Sequence, residues 1–268
     1  EYRRQRQMCI RDRRGTAFLR ERFRDPSHGG YYFRVHEQGR VMDSSKDGYG
    51  HACAIHALAA ATNATGDQQY AAVAMECWGV VRRQMMQSEG GLISRASEDF
   101  SGAQACLFGA NVKLLEGLLE LYRATRDNQI RADILKLLEY CNGQVPEQIG
   151  AIPEDGSRNT DFGHQVQLAY LLSLAVQEGF PRKYLSVGGK LMDYAIEFRH
   201  PSRGEGLSDV SESSEVGFSE FEFLRALLRY YSMHGHQEYL ELILAMQKNV
   251  QSTTIGSGET RWPHMIDG

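Results

Sequence analysis

Four stretches of this 268-residue chain place ionisable and aromatic side chains at the start of an apolar helical pattern. The clearest is Asp161-Phe-Gly-His-Gln-Val-Gln-Leu-Ala-Tyr-Leu-Leu-Ser-Leu-Ala175. Val166, Tyr170, Leu171 and Leu174 recur there at helical spacing, Asp161 stands in N-cap position, and His164 falls in the first turn. An imidazole titrates near pH ~6.5, so it can take and return protons close to neutrality. The other stretches begin near Asp47, Phe108 and Val216. They offer Tyr49, His51, Cys53 and His56; then Asn111, Lys113 and Glu116; then Phe218, Glu220, Phe221 and Glu222. Gln165 and Gln167 accompany His164. A mouth lined by these groups would receive an oxyanion or a polyhydroxyl ligand. Plainer roles compete for several of them. His51 and His56 lie on an alanine-rich helix, where a histidine bonded inside the core is the better reading. Glu116 and Glu222 could equally tie neighbouring helices together, and Lys113 could extend to solvent.

Metal and cofactor chemistry find no motif. His234 and His236 are two apart on a turn and His200 stands alone in a loop, so the i, i+4 pair of a helical zinc site is missing. Gly188-Gly189 has neither Walker nor dinucleotide spacing. The expectation is a site with no metal and no cofactor.

The elements that position these residues come in pairs. Gly48 to Thr65 is apolar nearly all round, as a helix packed on every side must be, whereas Gln68 to Met86 alternates apolar and charged faces and should lie outside. The same inner-then-outer order recurs at 108–125 with 128–141, at 163–177 with 182–198, and at 218–233 with 237–250. Tyr70, Ile130, Tyr184 and Tyr239 follow similar short turns at intervals of about 54 to 60 residues, which fits one helix pair per repeat. The connections between pairs, 87–107, 142–162 and 199–217, are long. They all enter inner helices and so gather on one face, together with the helices' unpaired N–H groups and positive dipole ends. Before this ring, Tyr31 to Val35 and Arg40 to Met42 read as a β-hairpin turning at His36-Glu-Gln-Gly39.

Composition bounds the partners. A net charge of −4 with 42% hydrophobic residues suits one large domain, spanning 14–268, and gives no reason to expect nucleic acid. No stretch reaches the roughly 18 consecutive apolar residues of a membrane span. The five cysteines, at positions 9, 53, 77, 106 and 141, form neither a metal motif nor a disulfide framework, which points to a reducing, cytoplasmic setting. The basic run Arg3-Arg-Gln-Arg-Gln-Met-Cys-Ile-Arg-Asp-Arg13 reads as a translated adapter, so residues 1–13 are set aside as non-native.

Four motifs in order resemble the N-acylglucosamine 2-epimerase superfamily, which includes mannose isomerases and cellobiose 2-epimerases. They are Gly29-Gly-Tyr-Tyr-Phe33, Lys46-Asp-Gly-Tyr-Gly-His-Ala52, Asn111-Val-Lys-Leu-Leu-Glu116 and Gly163-His-Gln-Val-Gln-Leu-Ala-Tyr-Leu-Leu172. The resemblance implies an all-α fold, an (α/α)6 barrel of helix hairpins with small β-hairpins at one face, incomplete at both ends. It also implies an enzyme, with a homodimer as one candidate assembly, that moves the C2 proton of an open-chain sugar by histidine acid/base chemistry. His164 would be catalytic, with Tyr49, His51, Asn111, Lys113, Glu116, Gln167, Phe218 and Glu222 touching substrate. The chain departs from the pattern where Lys113 replaces a histidine, Gln167 a glutamate, Cys53 an arginine and Gly217-Phe218 a tryptophan pair. The family's second catalytic histidine has no counterpart before Gly268 unless His264 imitates it. Two other readings stand beside this one. One is a glycoside hydrolase or lyase using Glu220, Glu222 or Asp209; the other is a carbohydrate-binding relative without activity.

Overall fold

The computed structural model describes residues 14–104, 107–145, 162–198 and 216–255; the side chains of 198, 216–220 and 247–255 lie outside the described set. α1 (14–23) ends in a π-wound turn, Leu19–Phe23. Then follow α2 (Gly48–Thr65), α3 (Gln68–Gln84), α4 (Phe108–Thr125), α5 (Asn128–Gly143), α6 (Phe162–Gln177), α7 (Lys183–Phe198), α8 (Val216–His234) and α9 (Gln237–Ile255). α2 packs on α3 and α4, α4 on α5 and α6, α6 on α7 and α8, and α8 on α9. The result is an arc of helix hairpins, with α2, α4, α6 and α8 inside.

Periodicity explains which helix goes where. α3 buries only the stripe Ala71, Ala74, Cys77, Trp78 and Val81, whereas α6 buries residues around its whole circumference, from Phe162 to Ala175. The inner helices meet in one continuous core through Ile55, Leu58, Leu114, Leu118, Leu168, Leu172, Phe223 and Leu227. Each fully buried leucine contributes about 1.5–3 kcal/mol relative to exposure.

The turns inside pairs share one design. Asp67 and Asp127 cap α3 and α5, accepting from the N–H groups of Gln69 and Gln129 at 2.9 and 2.8 Å. The chain enters each outer helix through a left-handed residue, Gly66 (φ 76), Arg126 (φ 53), Gly179 (φ 88) or Gly235 (φ 67). Nothing lies within 4 Å of a Cβ built on Gly66, so Gly66→Ala tests backbone conformation alone. It should cost about 1 kcal/mol, lowering Tm by about 2–4 °C in a thermal melt.

The expected hairpin forms, but shorter: β1 (Arg34–Val35) pairs antiparallel with β2 (Val41–Asp43). Tyr32 and Phe33 are drawn off because their N–H groups donate to Phe23 and Ser45 carbonyls at 2.8 and 3.0 Å. A second antiparallel pair, β3 (Lys46–Asp47) with β4 (Arg95–Ala96), was not anticipated. It ties the long loop after α3 across the start of α2, helped by Gly48 N–H donating to the Ser94 carbonyl at 2.8 Å. Residues 146–161 and 199–215 of the later long connections, with Asp161 and its N-cap, His200 and Asp209, lie outside the described residues, as do His264 and the segment 1–13. No described helix is long and apolar enough to cross a membrane.

Candidate active site

At the centre of the inner helices Glu116, on α4, is 11% exposed and collects donors from three directions. Its Oε2 accepts from Lys113 Nζ at 2.8 Å and from Gln167 Nε2 at 3.1 Å. Its Oε1 accepts the fork of Arg225, both guanidinium nitrogens at 3.2 Å. Burial would raise the Glu116 carboxyl, but the bond and charge of Lys113, with His56 and Arg225, outweigh it and hold the group below its ordinary value. Glu116 is therefore a carboxylate, and its charge keeps α4, α6 and α8 in register. Lys113 Nζ also stands 3.2 Å from His56 Nδ1. Burial depresses the His56 imidazole, with Glu116 opposing and Lys113 assisting.

His164 opens α6, partly buried, with its ring edge-on to Tyr49 at 6.3 Å between centroids. Gly109, in the first turn of α4, makes the space: a Cβ there would lie 2.6 Å from His164 Cε1 and 2.8 Å from Nδ1. Gly109→Ala should consequently push the imidazole out of place. Steady-state assays should show any His164-dependent activity falling roughly 10²-fold, the loss typical of a misplacement near 1 Å.

Two expected sugar contacts are occupied elsewhere. His51 is buried, with Nδ1 2.6 Å from the Asp47 carbonyl and Nε2 accepting from Tyr31 N–H at 3.0 Å. Burial pushes it down to about 4, so it is neutral, donating from Nδ1, and neither nitrogen is left for a ligand. Asn111 is also buried; its Oδ1 accepts from Leu92 N–H at 2.8 Å and its Nδ2 donates to the Leu107 carbonyl at 2.9 Å. It pins the loop before α4. Tyr49 is exposed, Lys113, Glu116 and Glu222 are partly buried and Gln167 is buried, whereas the Phe218 and Glu220 side chains lie outside the described residues. Gln167 Oε1 is a buried acceptor with no protein partner among the described residues, an opening for a ligand hydroxyl.

Arg225 and Tyr170 were missed by sequence reasoning. The guanidinium lies over the Tyr170 ring, 4.1 Å from its centroid, and 2.9 Å from Glu222 Oε2. An arginine three residues after an acid in an apolar helical run was the available signal.

Outside this cluster, Lys46 is fully buried, donating from Nζ to Asp25 Oδ2 at 2.6 Å and to the Gly29 carbonyl at 3.0 Å. One ligand atom from each of Asp25, His28 and Glu98 lies within 4.8 Å of the others, a spacing that could hold a cation, yet the Lys46 ammonium already pairs with Asp25 at 2.6 Å. Cys53 lines a cleft of about 250 Å³ with Leu19, Phe23, Phe33 and Ala57, and its thiol interacts electrostatically with Lys113 and Glu116.

The sequence pattern of N-acylglucosamine 2-epimerase (GlcNAc 2-epimerase) matches residues 6–172. The chain belongs to this family. The match begins at residue 6, inside the segment 1–13 that the sequence reading takes for a translated adapter. A cellobiose 2-epimerase of Ruminococcus albus is 21% identical over 273 residues, covering 90% of this chain and 69% of that protein. The structure of cellobiose 2-epimerase from Spirochaeta thermophila superposes with a TM-score of 0.77 at 20% identity, over 88% of this chain and 66% of that one. D-mannose isomerase gives 0.74 at 18%, over 87% and 66%. The chain thus spans about two thirds of the length of these relatives. The (α/α)6 class expected from the sequence is the fold of this epimerase and isomerase family, and the arc of hairpins is its architecture here.

Proposed function

We propose that the protein moves the C2 proton of an open-chain aldose or ketose, as a sugar 2-epimerase or aldose–ketose isomerase, with His164 as the acid/base group. The observation that carries this reading is His164 itself. In a chain of this family, its imidazole is presented at the opening of an inner helix, in space left by Gly109 and against Tyr49. The cellobiose 2-epimerase and mannose isomerase relatives support the same reaction class. Glu116, Lys113 and Gln167 would hold sugar hydroxyls, Tyr49 would stack on the ring or chain, and Glu222 would close the site from α8.

Proton NMR in heavy water tests it, with mannose, fructose, glucose, N-acetylmannosamine and cellobiose offered separately. Deuterium should appear at C2 of at least one sugar. Sugar line broadening without exchange in any of them would remove the isomerase reading and leave a binding protein, and release of a free sugar from cellobiose would point to hydrolysis.

A further inference from the structure

We propose that Glu222 is the second proton-carrying group of the site, delivering its carboxyl proton to the carbonyl oxygen of an open-chain sugar while His164 takes the proton from C2. This rests on the C2-proton reading above and adds its missing acid.

Two carboxyl groups share Arg225, and they are treated unequally. Glu116 receives four hydrogen bonds, from Lys113, Gln167 and both arms of the Arg225 fork. Glu222, only 12% exposed, has its Oε2 2.9 Å from Arg225, but the N–H groups are aimed at Glu116. Among the described residues no hydrogen bond reaches that oxygen. A buried carboxylate oxygen without a donor is costly to ionise, which favours keeping the proton. The charged groups facing it are Arg225 from its own helix, Glu116 and Lys113 from α4 and His164 from α6. Burial leads, with the Glu116 charge adding to it, and together they raise Glu222 above its ordinary value against the opposing influence of Arg225, Lys113 and His164. Two acids whose surroundings drive them apart mark an acid and its ionised counterpart.

The step balances. His164 takes the C2 proton, the C2–H electron pair becomes the C1=C2 bond, and the C1=O π pair takes the proton of Glu222. An enediol, an imidazolium and a carboxylate result, and nothing is oxidised or reduced overall. The new carboxylate already lies beside Arg225, which supplies its countercharge. Return of a proton to C1 gives isomerisation, and to the opposite face of C2 gives epimerisation.

The test has a readout that needs no sugar. Infrared spectra of wild type minus Glu222→Gln, recorded in heavy water from about pH 4 to pH 8, should show a protonated-carboxyl band surviving above the ~4.3 of an ordinary glutamate. In the exchange assay Glu222→Gln should lose ~10²-fold or more in kcat with KM little changed, and Glu222→Asp should recover part of it. A role in packing alone would not separate these two variants. Should Glu222→Gln fold too poorly to record, the change of the band in Glu222→Asp decides the matter. Absence of the band, or wild-type exchange in Glu222→Gln, overturns the proposal and leaves the C2 reading standing. Absence of exchange in the wild type with every sugar overturns the C2 reading, while the band still decides whether Glu222 holds a proton.

Discussion

Replacing His164 with asparagine is expected to cut C2 deuterium exchange by ~10²–10⁴-fold, the contribution of one positioned acid/base group. Asparagine keeps a polar side chain of smaller size in the same space, and His164 is only partly buried, so the helix should hold. The surrounding contacts make the loss specific to chemistry. Gly109 would be relieved of its close neighbour, and Glu116 would keep the donors of Lys113, Gln167 and Arg225. Rates by NMR and melting curves on the same samples separate the two effects. An asparagine variant that exchanges as fast as the wild type would take His164 out of the mechanism.

A larger effect on stability should come from acid, in two stages. His51 is held neutral by burial, at about 4 in the fold against ~6.5 when unfolded. Between these values the unfolded chain binds more protons than the folded one, so stability falls as pH drops from ~6.5 to 4, by about 3 kcal/mol. Asp25 acts lower down. Burial pushes it up, but the Lys46 bond and the N–H groups of His28 and Ser27 hold it at about 2. Its folded value lies below the unfolded one, so its contribution is present above ~4 and is lost towards 2, by about 2 kcal/mol. Urea titrations at successive pH values should therefore show a first decline that disappears in His51→Asn and a second that disappears in Asp25→Asn. Asp25→Asn should be less stable near neutrality, since it leaves the Lys46 ammonium buried with its charge unmatched, a loss of about 3–5 kcal/mol. A flat response between pH ~6.5 and 4 would show that His51 is not the buried neutral histidine described.

The helices were legible because burial writes itself into spacing: the all-round apolar pattern of α2 and the one-sided stripe of α3 each require their place in the arc. The turns were legible because Thr-Gly-Asp and Thr-Arg-Asp cap helices locally. What spacing could not give were partners remote in the chain. Asn111 reads as a polar residue near a helix opening, and only the path of the preceding loop shows that both ends of its amide are engaged. Lys46 and Asp25 are 21 residues apart and meet because the loop carrying Asp25 folds back over β3. Arg225 was passed over for a similar reason: 109 residues separate it from Glu116, and nothing in either segment announces the other. His56 and Glu116 were seen individually, but that they share one lysine follows only from the packing of α2 on α4.

Because each hairpin packs chiefly on its immediate successor in the chain, the molecule can be assembled in the order in which it is synthesised. α2 with α3 needs only α4 to cover it, and each later pair finds its template already in place. Loop-closure entropy is met in modest instalments, which favours fast formation for a core of this size. The ion pairs around Glu116 run against that sequence. They need α8, the last inner helix described, before Arg225 can arrive, so the binding centre should be the final part to set after the scaffold that carries it has formed.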